Sequence, residues 1–253
     1  MFFLNMKIGV VLHPYGEREP AGLGRAIFEL TKAMIAAGPQ HEFLIFVKGI
    51  PERKPEFPGT NWRVHTLGRG WMWLDNLRNA PAADIYIFNT PVLPIWWHPP
   101  KAVVIALDFA YLHPHTQKGA GVNGPIHSLL QRLRLFLLKS RHRSALRRAD
   151  KVIAISKETR RDAIKFFRIP GSKIETVHLG FNRICSLPEE PTDAPEKFFL
   201  FVGALKERKN IANIIQAFSA FHRRHSGYHL LLVGKGEGEY AAGLRRAVQK
   251  QGL

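Results

Sequence analysis

The chain has 253 residues, 45% of them hydrophobic, with 37 Lys and Arg against 20 Asp and Glu, a formal charge of +17, and a single cysteine. This composition supports packed cores in one or two domains and excludes disorder, collagen-like repeats and coiled coil. Cys185 cannot form an internal disulfide alone, and no apolar run approaches the roughly 20 residues that span a bilayer, which argues against a disulfide-stapled scaffold and a transmembrane helix. The opening MFFLNMK is too short for a signal-peptide hydrophobic region, so a cytoplasmic location is expected.

In chain order, Lys7 to Leu12 reads as a first strand, followed by a loop with Pro14, Gly16 and Pro20. Leu23, Ile27, Leu30 and Met34 recur at helical spacing, and Gly38-Pro39 supplies a stop. Further strands are expected at Phe43–Val47, Arg63–Leu67, Asp84–Phe88, Ala102–Leu107 and Lys151–Ile155, several of them apolar on both faces. Such strands separated by helices indicate a parallel sheet covered on both sides, the α/β class. After Lys173–His178, residues 183–197 carry three prolines and three glutamates and read as a linker. A second strand-helix series follows: Phe198–Val202, a helix around Asn210–His225, Tyr228–Val233, and a helix from about Glu239. The expected organisation is a complete domain over 1–182, a linker over 183–197, and the first part of a second domain over 198–253.

The charge is concentrated. Residues 118–168 hold fourteen Lys and Arg against three acids, a net of +11. Within them, Ile126 to Asp150 forms a basic helical pattern in which Leu129, Leu130, Leu133, Leu137 and Leu138 line one face. Its basic residues Arg132, Arg134, Lys139, Arg141 and Arg143 suit an anionic membrane surface, and the alternative is a core-packed helix with a solvated charged side.

Three glycine-bearing loops are candidate sites. Ala21-Gly22-Leu23-Gly24-Arg25 opens the first helix, where backbone amides and the helix dipole can meet a phosphate. Ile27 in place of a third small residue, and Lys48 where a ribose-binding acid belongs, argue against NAD. Gly203 to Asn210 follows a buried strand and offers Arg208 and Lys209 to a diphosphate. Gly234-Lys235-Gly236 follows the next strand and lacks the P-loop ending. For each, a turn without a ligand is the alternative. Asp108 is the best-placed carboxylate of the first domain, with loop ordering as its other reading. The twelve histidines show no metal-ligand spacing, His113-Pro114-His115 lacks a matching carboxylate, and no nucleophile elbow is present.

Together, three stretches resemble the retaining GT-B glycosyltransferases of family 4: Ala149 to Asp162 (ADKVIAISKETRRD), Lys173 to Asn182 (KIETVHLGFN) and Phe201 to Asn210 (FVGALKERKN). The AGLGR loop fits the family's N-terminal glycine loop. The resemblance implies two facing Rossmann-like domains, the first complete and the second begun, and transfer of a hexose such as mannose from a nucleotide sugar to a lipid-linked or polysaccharide acceptor, with retention. It implies cell-surface glycan synthesis at the inner membrane face, without metal, cofactor or nucleic acid. By the same resemblance Arg208 and Lys209 grip the donor diphosphate, Gly22, Gly24 and Arg25 serve the phosphate and acceptor side, and Gly203, Gly234 and Gly236 lie toward the nucleotide. Asp108 is the candidate catalytic group.

Two departures qualify this expectation. Leu107 stands where the family often carries a histidine, and the family's paired-glutamate motif does not occur before Leu253. Weak or absent transfer by residues 1–253 alone is therefore expected. The rival reading is a membrane- or polyanion-binding module that kept the fold without the chemistry.

Overall fold

A computed structural model describes residues 5–15, 22–113, 125–181, 193–236 and 238–253, with the side chains of 125–128, 130, 131 and 208 left aside. The chain divides into two compact units, Met1–Phe109 with Gly124–Phe181, and Ala110–Asn123 with Asn182–Leu253. Most of the expected linker, residues 183–192 with Cys185, lies outside the described residues, as do Gly16, Pro20, Ala21, Pro114 and His115.

In the first unit, strands β1 (Lys7–Leu12), β2 (Glu42–Val47), β3 (Trp62–Thr66), β4 (Ile85–Phe88), β5 (Ala102–Ala106), β6 (Lys151–Ala154) and β7 (Ile174–Thr176) form one sheet of order β3-β2-β1-β4-β5-β6-β7. Every pairing is parallel. Helix α1 (Gly22–Ala37) turns Ile27 and Ile35 onto Val10, Leu12, Phe43 and Ile45 on one face of the sheet. On the other face Phe46 and Tyr86 stack across β1, which has glycine at position 9. A Cβ there would lie 2.8 Å from Tyr86 Cδ1 and 3.0 Å from Phe46 Cε2. Gly9→Ala is therefore expected to cost about 1–3 kcal/mol by overpacking, read as a lower urea midpoint.

Two aspartates fasten neighbouring strands by one device. Asp84 accepts the Lys7 amide at 2.7 Å while its own amide bonds the Lys7 carbonyl at 2.8 Å. Asp150 does the same with Ala102, at 2.7 and 2.8 Å. A third carboxylate, buried Asp75, accepts the amides of Ile95, Trp96 and Trp97. The Arg148 guanidinium bonds the carbonyls of Pro94 and Trp97, so this irregular segment is held at both its amides and its carbonyls. All five tryptophans, at 62, 71, 73, 96 and 97, fall in this unit.

Helix α2 (Pro125–Arg148) leads into β6, and α3 (Lys157–Phe167) follows it. The second unit holds β8 (Phe198–Val202) paired in parallel with β9 (His229–Val233), and helices α4 (Ile211–His222) and α5 (Gly238–Lys250). Ile211, Ile215 and Leu244 pack there with Phe201, Leu230 and Leu232. The opposite face of this pair leaves Leu200, Val202 and Val233 exposed.

Candidate functional site

Because the seven strands are parallel, their carboxyl ends share one edge, and strand order reverses between β1 and β4. Open α/β sheets bind ligands at that reversal. His13 follows β1 and Asn89 follows β4, and both bond the same acceptor: the Val11 carbonyl takes the His13 amide at 3.1 Å and Asn89 Nδ2 at 3.2 Å. Asn89 is buried, and its Oδ1 has no hydrogen-bond partner. His13 packs edge-on against Trp73, and burial followed by the charge of Lys48 pushes its pKa below the usual histidine value. A neutral imidazole and an amide oxygen suit hydroxyl groups. Neither residue belongs to a sequence motif; strand order singles them out.

The residues expected from sequence in this first unit lie around the same edge. Gly22 and Arg25 are exposed on the first turn of α1 and Gly24 is buried in it. A Cβ on Gly22 would meet nothing within 4 Å, so local packing gives no reason for glycine there. Asp108 is exposed just beyond β5. Leu107 is buried in the hydrophobic core beside Val10, Leu12 and Ile105, and its carbonyl accepts from Thr159 Oγ1 at 3.3 Å.

Four polar residues of the 149–162 stretch prove to be scaffold. Asp150 fastens β5, Ser156 caps α3 by accepting the Thr159 amide at 3.0 Å, and Thr159 ties α3 to the end of β5. Arg160 bonds the carbonyls of Gly171 and Ile174.

In the second unit the two loops after β8 and β9 are zipped together. Gly203 donates its amide to the Val233 carbonyl at 2.9 Å, and Leu205 donates to Lys235 at 2.8 Å. A Cβ on Gly234 would lie 1.8 Å from the Gly203 carbonyl oxygen, and one on Gly236 would lie 2.7 Å from Leu205 Cδ1. Close approach of the loops thus accounts for glycine at 234 and 236. Residues Glu207–Lys209 form one 3-10 turn, and Asn210 adopts a left-handed conformation to start α4. Lys209 is exposed on this turn; the backbone of Arg208 lies in it and its side chain is outside the described residues. The loops bring Gly203, Gly234, Gly236 and Lys209 to the carboxyl edge of β8 and β9, beside the N-termini of α4 and α5.

On α2, Arg132, Arg134, Lys139, Arg141 and Arg143 are all exposed. The leucine face is not core-packed where its side chains are described: Leu129, Leu133 and Leu137 face solvent, Leu138 is partly exposed, and the Leu130 side chain is outside the described set. Among the described residues no cluster of three or more His, Cys, Asp or Glu is placed to hold a metal ion, and no helix is long and apolar enough to cross a membrane.

The parallel doubly wound sheet with a second strand-helix unit defines an α/β protein of the GT-B type. The sequence matches Glycosyltransferase Family 4 over residues 20–183 and Glycosyl transferases group 1 over residues 186–253. The chain belongs to glycosyltransferase family 4. No curated protein matches the sequence. Among solved structures, the apo form of the lipopolysaccharide outer core galactosyltransferase WaaB is similar, with a TM-score of 0.56 at 13% identity, over 98% of this chain and 65% of that one. A glycotransferase of kitacinnamycin overlaps at a TM-score of 0.39 and 12% identity, over 90% of this chain and 66% of that one. The chain therefore spans less than two thirds of the length of these two proteins.

Proposed function

We propose that the chain is a glycosyltransferase that moves a hexose such as mannose from a nucleotide sugar to a lipid-linked or polysaccharide acceptor with retention. The setting proposed is cell-surface glycan synthesis on the cytoplasmic side of a membrane, with the nucleotide sugar as substrate and no cofactor. The observation that carries the donor side is the zipped pair of loops at 203–210 and 234–236, which presents Lys209 beside two helix N-termini. Developing charge on a departing diphosphate is stabilised by such pre-placed cations and amide dipoles. Arg208 and Lys209 take that role, and Gly203, Gly234 and Gly236 let the backbone approach the nucleotide. Same-face displacement then needs no protein nucleophile. In the first unit, open Gly22 with Gly24 and Arg25 serves the phosphate and acceptor side, His13 and Asn89 meet acceptor hydroxyls, and Asp108 is the carboxylate nearest in kind to a catalytic group.

One observation favours a second reading, a module that kept the fold and lost the chemistry: Leu107 buries an apolar side chain where a polar group could act. A thermal-shift screen of UDP- and GDP-hexoses separates the two. Under the transferase reading one of them raises the melting temperature, and Lys209→Ala weakens its apparent affinity about tenfold or more. Gly22→Ala is expected to leave the unliganded melting temperature in place. A chain that no nucleotide sugar protects would overturn the transferase reading and leave the second.

A further inference from the structure

We infer that the loops after β1, β2 and β3 form a subsite for an anionic acceptor sugar, its phosphate or carboxylate held by Lys48 and Arg69 and its ring laid against Trp71. The inference rests on the transferase reading for the acceptor and on these three loops for the anion and the ring.

Lys48 stands where a ribose-binding acid would belong, and the proposed transfer gives it no role. Leu12 pairs with Val47 and Val47 with Thr66, so His13, Lys48 and Leu67 leave three neighbouring strands at one level of the carboxyl edge. The charge of Lys48 reaches His13 there. Pairing continues past the ends of β2 and β3, with Leu67 donating to the Val47 carbonyl and Gly49 to the Gly68 carbonyl, both at 2.9 Å. Gly49 is buried with φ +65, and a Cβ on it would lie 2.8 Å from both Cγ and Nε of Arg69. The stem of Arg69 is thus laid across the Gly49 backbone, on the loop that begins with Lys48. Both cations are exposed, and among the described residues neither makes an ion pair. Arg53, further along the same loop, shares the surroundings of Tyr15 with Glu56, so the free positive charge is that of Lys48 and Arg69.

From Arg69 the chain crosses the edge toward β1. Trp73 packs against His13 at 5.1 Å, and Trp71, midway between Arg69 and Trp73, is 74% exposed. Asn89 follows β4, on the other side of β1, and its buried Oδ1 has no partner. Lys48 and Asn89 therefore flank β1 at about 10 Å by strand spacing, a span that one sugar ring with an acidic substituent fills. Such a ring carries hydroxyls at its rim and C–H bonds on its faces. The faces suit an open indole, the hydroxyls an imidazole and an amide, and the acidic group a guanidinium beside an ammonium.

Titration of the nitrogen-labelled 253-residue chain with mannose 6-phosphate, glucuronate and mannose, read at the tryptophan indole N–H signals, tests this. All five indoles belong to the first unit, and Trp71→Phe assigns the signal of Trp71. At least one of the two acid sugars is expected to move that signal saturably, with mannose binding about tenfold more weakly. The tighter of the two tells phosphate from carboxylate. Trp62, whose indole N–H donates to the Gly59 carbonyl at the start of β3, should stay still. Lys48→Gln and Arg69→Gln should each weaken the acid sugar about fivefold without lowering the melting temperature, since both side chains are exposed. Lys209→Ala, in the second unit, should leave it unchanged. Mannose binding as tight as the acid sugars, a Trp71 signal that neither acid moves, or acid-sugar binding lost in Lys209→Ala and kept in both Gln variants would overturn the subsite. Inorganic phosphate binding as tightly as mannose 6-phosphate would overturn its sugar part. Nucleotide-sugar protection on the same preparations separates the two readings. Protection without acid-sugar binding overturns the subsite alone, and acid-sugar binding without protection removes the transferase reading and the acceptor clause while leaving the subsite.

Discussion

Gly234→Ala is expected to disrupt the second unit. A methyl group at 234 would stand 1.8 Å from the carbonyl oxygen of Gly203 and 2.6 Å from its carbonyl carbon, and these are backbone atoms with no rotamer to yield. The backbone at 234 has φ +157, which side chains also disfavour. Relief would require the two loops to part, breaking the bonds from Gly203 to Val233 and from Leu205 to Lys235. The core behind them is small, formed by Ile211, Ile215 and Leu244 with a few partly buried neighbours. A loss of about 3 kcal/mol or more follows from overpacking against backbone. Hydrogen exchange should show the Gly203 and Leu205 amides losing protection in Gly234→Ala. Retained protection would mean that the loops part without strain. The same substitution should remove nucleotide-sugar protection, because the turn that bears Lys209 hangs from this zipper.

Acid is expected to destabilise the first unit through His142. The imidazole is buried between Phe109 and Phe167, with ring centroids 6.3 and 6.5 Å away, and its pKa is lowered from 6.5 to about 4. Burial is the main cause, and the charge of neighbouring Arg141 adds to it. The fold favours the neutral ring, so its contribution is complete above pH 6.5, where the unfolded chain is also neutral. It is lost as pH falls from 6.5 toward 4, because the unfolded chain takes up the proton first. The span corresponds to roughly 3 kcal/mol at most. Urea unfolding of wild type and His142→Leu at neutral and mildly acidic pH measures it. The wild type should lose stability on acidification by more than the variant does. Equal losses would show that the imidazole takes up its proton alike in the folded and unfolded chain, and would overturn this prediction.

The run of strands and helices was legible in the sequence because each strand is a short β-branched or aromatic run bounded by breakers. Lys7 to Leu12 and Phe198 to Val202 are strands over those residues. The order of strands was not legible, since no local pattern says that β4 returns beside β1. That reversal brings Asn89 and His13 onto one carbonyl, and these two site residues were missed for that reason. Resemblance found the family through 149–162, yet Asp150, Ser156, Thr159 and Arg160 hold strands and helix ends together. A motif can identify a fold by its fastenings as well as by its chemistry. Helical periodicity placed the leucines of α2 on one face, but which face meets the core depends on where the helix is fixed. The buried positions of its C-terminal half decide that, and they turn Leu129, Leu133 and Leu137 outward. The reason for glycine at 234 was likewise hidden, because it lies in a loop that comes close only in space.

The placement of the five tryptophans gives the chain a built-in optical division. Unit 2 contains none, so emission excited at the red edge of protein absorbance reports on the first unit alone. Trp73 lies against His13, 5.1 Å away, which makes the ligand edge of that unit its own emitter. Under the proposed function, an acceptor that reaches the strand reversal meets Trp73 there and changes that emission.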